Sequence, residues 1–228
     1  MFSLVIFLYS FTSKRNNNRK LTKSTVVFVG NSAPFIKQET VNKLLIENNR
    51  DVKSIGKDKL DLNKLENALN AHEMIEKSDV FVSIDGALKA VVKQKTPIAR
   101  FIDGDNSFYI DYKGNRMPLS QNFTARVPLI SGEINKKNSE KIAELFRIIY
   151  DDEFLKKNII GVQIMPNGSL KMLNRNYNYE IDFGGTLRMN AKFNNYKVLF
   201  QKAVLDSSLN KYKTIDLRFA QQVICTKK

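Results

Sequence analysis

Three features of the sequence carry residue types that do chemistry: paired carboxylates, a lone histidine with a lone cysteine, and a double glycine between a strand and a helix. The carboxylate pairs are Asp103/Asp105, Asp151/Asp152 and Glu180/Asp182. Residues i and i+2 of a strand share a face, so Glu180 and Asp182 have the placement of a glycosidase acid and base. Asp151-Asp152-Glu153 instead reads as a helix end or a solvated turn. His72 and Cys225 are the only residues of their types. One cysteine excludes an internal disulfide, and the two together fall short of the four N/S ligands of a zinc site. His72 closes an apparent helix (Asp61 to His72), where a cation favours the helix dipole. A capping or surface role therefore outweighs catalysis. Gly184-Gly185 has the strand-to-helix context of a phosphate loop but lacks its remaining glycines and its Lys-Ser/Thr pair, so a plain turn is expected. No catalytic residue, metal, cofactor or small-molecule substrate is expected.

The chain has 228 residues, 43% of them hydrophobic, with a formal net charge of +14. The length suits one large domain or two small ones, and the composition supplies a core. A charge of this sign favours anionic surroundings. The basic residues are spread from Lys14 to Lys228, however, whereas nucleic-acid readers concentrate them on one face or helix. A solvated basic surface is the simpler reading, and no nucleic-acid partner is expected.

The elements follow from periodicity. Phe2 to Phe11 is strongly apolar but about half the ~20 residues that span a membrane. It reads as the outer part of a truncated transmembrane helix (1–12), with a buried first strand as the alternative. The polar stretch 13–24 reads as a linker. Thr25 to Gly30 is β-rich. A helix follows Pro34, with Val41, Leu44 and Leu45 at helical spacing, and Asp51 to Asp58 form a polar connection. Asp61 can cap a helix with Leu62, Leu65 and Leu69 inward. Ile75 to Ile84 alternates as a strand, with Val80, Val82 and Ile84 on one face, and Asp85-Gly86 signals a hairpin turn. Leu88 to Phe101 reads as a second strand, broken or bulged near Pro97. The order over 25–103 is strand, helix, helix, strand, strand.

The second half (104–225, with a tail at 226–228) carries a hairpin at Phe108 to Arg116 and a short apolar segment at Val127 to Gly132. An amphipathic helix follows Ser139, with Ile142, Leu145, Phe146 and Ile149 inward. A second hairpin crosses Pro166-Asn-Gly168. A strand at Tyr179 to Phe183, a helix at Leu187 to Leu205 and a strand or strand pair at Tyr212 to Cys225 complete the chain. A chain that ends in a strand presents unpaired N–H and C=O groups unless both edges are covered. The fold class is α+β.

The sequence resembles the FtsQ/DivIB family. The strand–helix–helix–strand–strand order, opened by Phe28-Val-Gly-Asn31, is similar to a POTRA domain (βααββ). Lys95-Thr-Pro-Ile-Ala-Arg100, Tyr109-Ile-Asp-Tyr-Lys-Gly114 and Val127-Pro-Leu-Ile-Ser-Gly132 resemble that family's motifs in order and spacing. Tyr212-Lys-Thr-Ile-Asp-Leu-Arg-Phe219 is similar to its Asp-Leu-Arg-Tyr strand. The resemblance implies a POTRA domain followed by a β-domain, a mixed or antiparallel sheet with flanking helices. It implies a non-catalytic, single-pass scaffold of the inner (plasma) membrane, its bulk extracytoplasmic, at the division septum. Its implied partners are FtsB/DivIC-like and FtsL-like proteins, with FtsK-, FtsW- and FtsI-type proteins as further candidates. The FtsB/DivIC-like segment would add as a strand along Arg218, Phe219, Gln221 and Val223, with Asp216 and Leu217 positioning it. Phe219 stands where the family has Tyr. Val29, Asn31, Val41 and Leu45 match the POTRA region used for recruitment. Another POTRA-type envelope assembly or secretion component, or an envelope glycan hydrolase, are the alternatives.

Overall fold

The computed structural model describes residues 2–17, 20–30, 34–46, 60–104, 106–219 and 221–228. Asn31, the connection Asp51 to Asp58 and Asp105 lie outside the described residues. The chain forms two compact units, residues 1–95 with 120–124, and residues 96–119 with 125–228.

In the smaller unit, α1 (Phe2–Asn17) precedes β1 (Ser24–Phe28), α2 (Gln38–Leu45), α3 (Leu62–Asn70), β2 (Ile75–Val82) and β3 (Leu88–Gln94). The sheet order is β1-β3-β2, with β1 parallel and β2 antiparallel to β3. Asp61 caps α3 as its residue type directs, its carboxylate accepting from the Lys64 N–H at 3.0 Å. Val41 and Leu45 of α2 and Leu65 and Leu69 of α3 close onto Val26, Val80, Ala90 and Val92 of the sheet. β2 stops at Val82, and Ile84 stands in the turn, 96% exposed, rather than on the inward face with Val80.

The stretch expected as one strand is two strands in two sheets. β3 ends at Gln94, and β4 (Pro97–Asp103) opens the sheet of the larger unit. Pro97 cannot donate to a ladder, so the strand is interrupted where it changes sheets. The larger unit continues with β5 (Asn106–Asp111), β6 (Arg116–Met117), β7 (Leu129–Ser131), α4 (Ser139–Asp151) and α5 (Glu153–Asn158). Then come β8 (Ile159–Ile164), β9 (Leu170–Asn174), β10 (Glu180–Gly184), α6 (Met189–Leu205), β11 (Tyr212–Asp216) and β12 (Ile224–Lys227). The sheet order is β12-β11-β10-β9-β8-β7-β4-β5-β6. It is mixed: β4–β7, β7–β8 and β10–β11 are parallel, and the other pairs antiparallel.

Register places one row across this sheet, Phe101–Ile130–Val162–Met172–Ile181–Ile215, all buried, with the half-buried Cys225 at its end. Ile142, Leu145, Phe146 and Ile149 of α4 and Phe193 and Tyr196 of α6 share one core with that row. The 3.6-residue and 2-residue periods meet here, each burying its apolar face on the other.

Candidate functional site

The site is built where β10, α6 and the β11–β12 hairpin converge within the larger unit. β11 is an interior strand, paired with β10 on one side and β12 on the other. The edge of the sheet on this side is therefore β12, at Ile224–Lys227, the opposite edge being β6. Of the residues expected on a partner-binding strand, Asp216 ends β11, while Leu217, Arg218, Phe219, Gln221 and Val223 form the link between β11 and β12. They do not lie on a strand edge.

Their roles separate by burial. Leu217 is in the core and Val223 is packed against it. Arg218, Phe219 and Gln221 are exposed. The buried Asp216 carboxylate holds the link. It accepts from the Arg218 backbone N–H at 2.9 Å, from Arg218 Nε at 3.0 Å and from Nη2 at 2.5 Å. This two-pronged pairing fixes the guanidinium plane as well as its charge. The Arg218 guanidinium holds the Asp216 carboxyl below the usual carboxylate range. Gly184, at φ +72, makes the room: a Cβ there would lie 2.8 Å from Arg218 Cγ.

Arg218 and Phe219 face a concavity of about 810 Å³, with Arg188, Lys192, Gln221 and Gln222 also lining it. Lys192 lines it without belonging to any motif of the sequence. It is buried, its ammonium donating to the carbonyls of Phe183 and Gly185, both at 2.8 Å. Burial pushes its pKa down. The signal was available: positions 189, 192, 193 and 196 form one helical stripe, and a lysine inside such a stripe must find buried acceptors.

The outward direction of β12 follows from hydrogen-bond parity. The Leu217 N–H donates to the Asp182 carbonyl at 2.9 Å. Ile215 and Leu217 therefore bond toward β10, and Thr214 and Asp216 toward β12. Thr214 pairs with Thr226 and Asp216 with Ile224, so Ile224 and Thr226 bond inward. Lys228 N–H, donating to the Lys211 carbonyl at 2.9 Å, keeps that parity. The backbone groups of Cys225 and Lys227 thus point away from the sheet, and among the described residues no side chain is hydrogen-bonded to them. The edges of the smaller sheet differ. Gln38 donates to the Val26 carbonyl of β1 at 3.1 Å, and Asn70 and Glu66 accept from Ser78 and Val80 N–H of β2 at 2.7 and 3.3 Å.

The other sequence candidates resolve as follows. Val41 and Leu45 are 0% and 2% exposed in the core of the smaller unit, so they cannot form a recruitment surface. The helical spacing that makes α2 amphipathic turns them inward. Val29 is 49% exposed. Glu180 and Asp182 share Lys171, at 2.9 and 3.9 Å, as a surface ion-pair ladder. Asp152 caps α5, accepting from Leu155 N–H at 2.9 Å, and also pairs with Lys197. His72 is not a helix-end cation: its Nδ1 accepts from Met74 N–H at 3.2 Å, and burial lowers its pKa.

No described helix is long and apolar enough to cross a membrane. α1 is 16 residues long, and residues 2–12 are all exposed.

Residues 96–226, more than half of the chain, match the family model described as FtsQ/DivIB, C-terminal related. A search of curated proteins returned no match. Among solved structures, the chain is similar to the major extracytoplasmic domain (trans isomer) of the bacterial cell division protein DivIB from Geobacillus stearothermophilus. The identity is 13%, with 50% of this chain and 95% of that chain covered, at a TM-score of 0.29.

Proposed function

The chain belongs to the FtsQ/DivIB, C-terminal related family, and on that premise we propose that it is a non-catalytic cell-division scaffold that binds an FtsB/DivIC-like segment by strand addition to β12. The observation that carries this reading is the β12 edge, whose Cys225 and Lys227 backbone groups face outward. An added strand satisfies such groups in the way β11 satisfies the inward ones. The β11–β12 link then supplies specificity. Phe219, 47% exposed, is the aromatic anchor, and Arg218, held rigid by Asp216, is a fixed cation beside it. An FtsL-like protein would join through that segment, and FtsK-, FtsW- or FtsI-type proteins through other surfaces.

The smaller unit, with its strand–helix–helix–strand–strand order, is read as a POTRA domain, and the larger unit, which takes in β4 (Pro97–Asp103), as the β-domain. α1 is largely apolar and uncovered by protein over residues 2–12, as in a helix that enters a bilayer. It would anchor the protein at the septal membrane with both units outside the cytoplasm.

Calorimetric titration of Phe219→Lys with an FtsB/DivIC-like segment tests the proposal. The variant is expected to stay folded and to lose at least about tenfold in affinity, the equivalent of ~1.4 kcal/mol. Native affinity in a folded Phe219→Lys protein would sink it.

A further inference from the structure

The β2–β3 hairpin ends in the turn Ile84-Asp85-Gly86, with Gly86 at φ +81. Its Ile84 is 96% exposed, more than any other large apolar side chain among the described residues. Tight turns favour Gly, Asn, Asp and Ser, so isoleucine here answers to nothing in the turn itself. A single exposed aliphatic residue needs no explanation on its own. Its attachment does.

The chain leaving α1 is fastened to this turn. Thr22 N–H donates to the Gly86 carbonyl at 2.9 Å, and the Thr22 hydroxyl to the Asp85 carbonyl at 3.3 Å. Leu21 is buried in the core of the smaller unit, and a Cβ at Gly86 would lie 3.5 Å from the Lys20 carbonyl oxygen. Three Cα steps of ~3.8 Å separate Asn17 from Lys20, so Lys20 stands within ~11 Å of the last residue of α1. The turn that carries the exposed isoleucine is thus tied to the stretch that follows α1, a helix whose residues from Phe2 to Phe11 are largely apolar. Lys20 and Lys23 are exposed on the same stretch. Phe81, 43% exposed, pairs across the hairpin with Lys89.

We propose that this hairpin tip is a second membrane anchor, with Ile84 entering the boundary between headgroups and acyl chains and Lys20 and Lys23 meeting lipid phosphates. This rests on the reading of α1 as a helix that enters the bilayer. Apolar side chains with flanking lysines are the composition that binds at that depth. The Asp85 carboxylate, bonded to the Ser83 hydroxyl, limits the depth, because a charge next to Ile84 stops the tip at the headgroups. A domain hung on one helix can swivel about it. A second contact fixes which face it turns to its partners.

The single cysteine gives a direct test. The full chain with Cys225→Ser accepts one new cysteine at a time, at Ile84, at Phe7 in α1, or at Asn167 in the turn of the β8–β9 hairpin. Each is labelled with an environment-sensitive fluorophore. The proteins are then reconstituted into vesicles of phosphatidylcholine and phosphatidylglycerol carrying a nitroxide lipid as quencher. Blue-shifted emission and loss of fluorescence are expected at 84 and 7, and neither at 167. Loss at 7 with 84 behaving as 167 overturns the second anchor and leaves the α1 reading standing. Loss at neither 7 nor 84 overturns both. Circular dichroism melts matching the unlabelled chain confirm that each protein tested is folded.

Discussion

Proline at two adjacent positions of β12 should separate stability from partner binding. Thr226 bonds inward to Thr214 of β11, whereas Lys227 points its N–H away from the sheet. Thr226→Pro removes a ladder donor, strands the Thr214 carbonyl and presses the ring against β11. A lost bond contributes ~0.5–1.5 kcal/mol, and the stranded acceptor raises the total to ~1–3 kcal/mol. At roughly 2–4 °C per kcal/mol for a chain of this size, the melting temperature should fall by about 2–12 °C. Lys227→Pro removes only an outward donor on an exposed edge residue, where proline is tolerated, so stability should stay within ~0.5 kcal/mol. The order reverses in binding. With the outward donor gone and a ring facing the incoming strand, Lys227→Pro should lose at least about tenfold in affinity for the partner segment, ~1.4 kcal/mol. Thermal denaturation and calorimetric titration on the same preparations measure both. Unchanged affinity in a folded Lys227→Pro protein would refute strand addition at β12. A Thr226→Pro protein as stable as the native one would refute the assigned parity.

Three further outcomes follow from the geometry. Gly184→Ala should lose about 1–2 kcal/mol in a denaturant melt, from its positive φ and the Arg218 stem 2.8 Å away, and should weaken partner binding by displacing the guanidinium. Because Arg218 lowers the pKa of Asp216, that pair contributes stability present above the unfolded carboxylate value and lost as pH falls through the folded one. Melts of Asp216→Asn should lack that part of the acid limb. His72 is a base with a lowered pKa, so its contribution is present above its unfolded value of about 6.5 and lost as pH falls from there through the folded value. His72→Gln should flatten the pH profile of stability over that window.

Much of the scaffold was legible because its signals are local. The stripe of Ile142, Leu145, Phe146 and Ile149, the Asp61 cap and the turn at Pro166-Asn-Gly168 each act over a few residues, and each element forms as its residues direct. What failed was non-local. Alternation tells which face of a strand is buried but not which strand lies beside it. Leu88 to Phe101 therefore read as one strand, although Pro97 opens a different sheet. The same blindness placed the expected partner strand along Arg218 to Val223, which is the link between β11 and β12, and passed over the edge strand, whose exposed Ile224, Thr226 and Lys227 make a weak pattern. Val41 and Leu45 are another kind of miss. Their own helical spacing marks them as core, and that is where they lie.

That weak pattern at β12 is itself informative. A strand buried on both edges needs a strong apolar signal to hold its register, while an edge awaiting another strand must stay soluble until it arrives. The smaller unit meets the same hazard by putting side chains of α2 and α3 onto its outer strands, through Gln38, Glu66 and Asn70. β12 is short, ends in Lys227 and is followed by Lys228. Such an edge resists indiscriminate pairing by brevity and charge and leaves its hydrogen-bonding groups open to one complementary strand. If that is why it is built this way, extending its apolar character should relax the discrimination. A Thr226→Val, Lys227→Val double variant keeps the inward ladder and both outward groups. It is expected to self-associate in analytical ultracentrifugation where the native chain does not. A monomeric double variant would mean that something other than the character of β12 guards the edge.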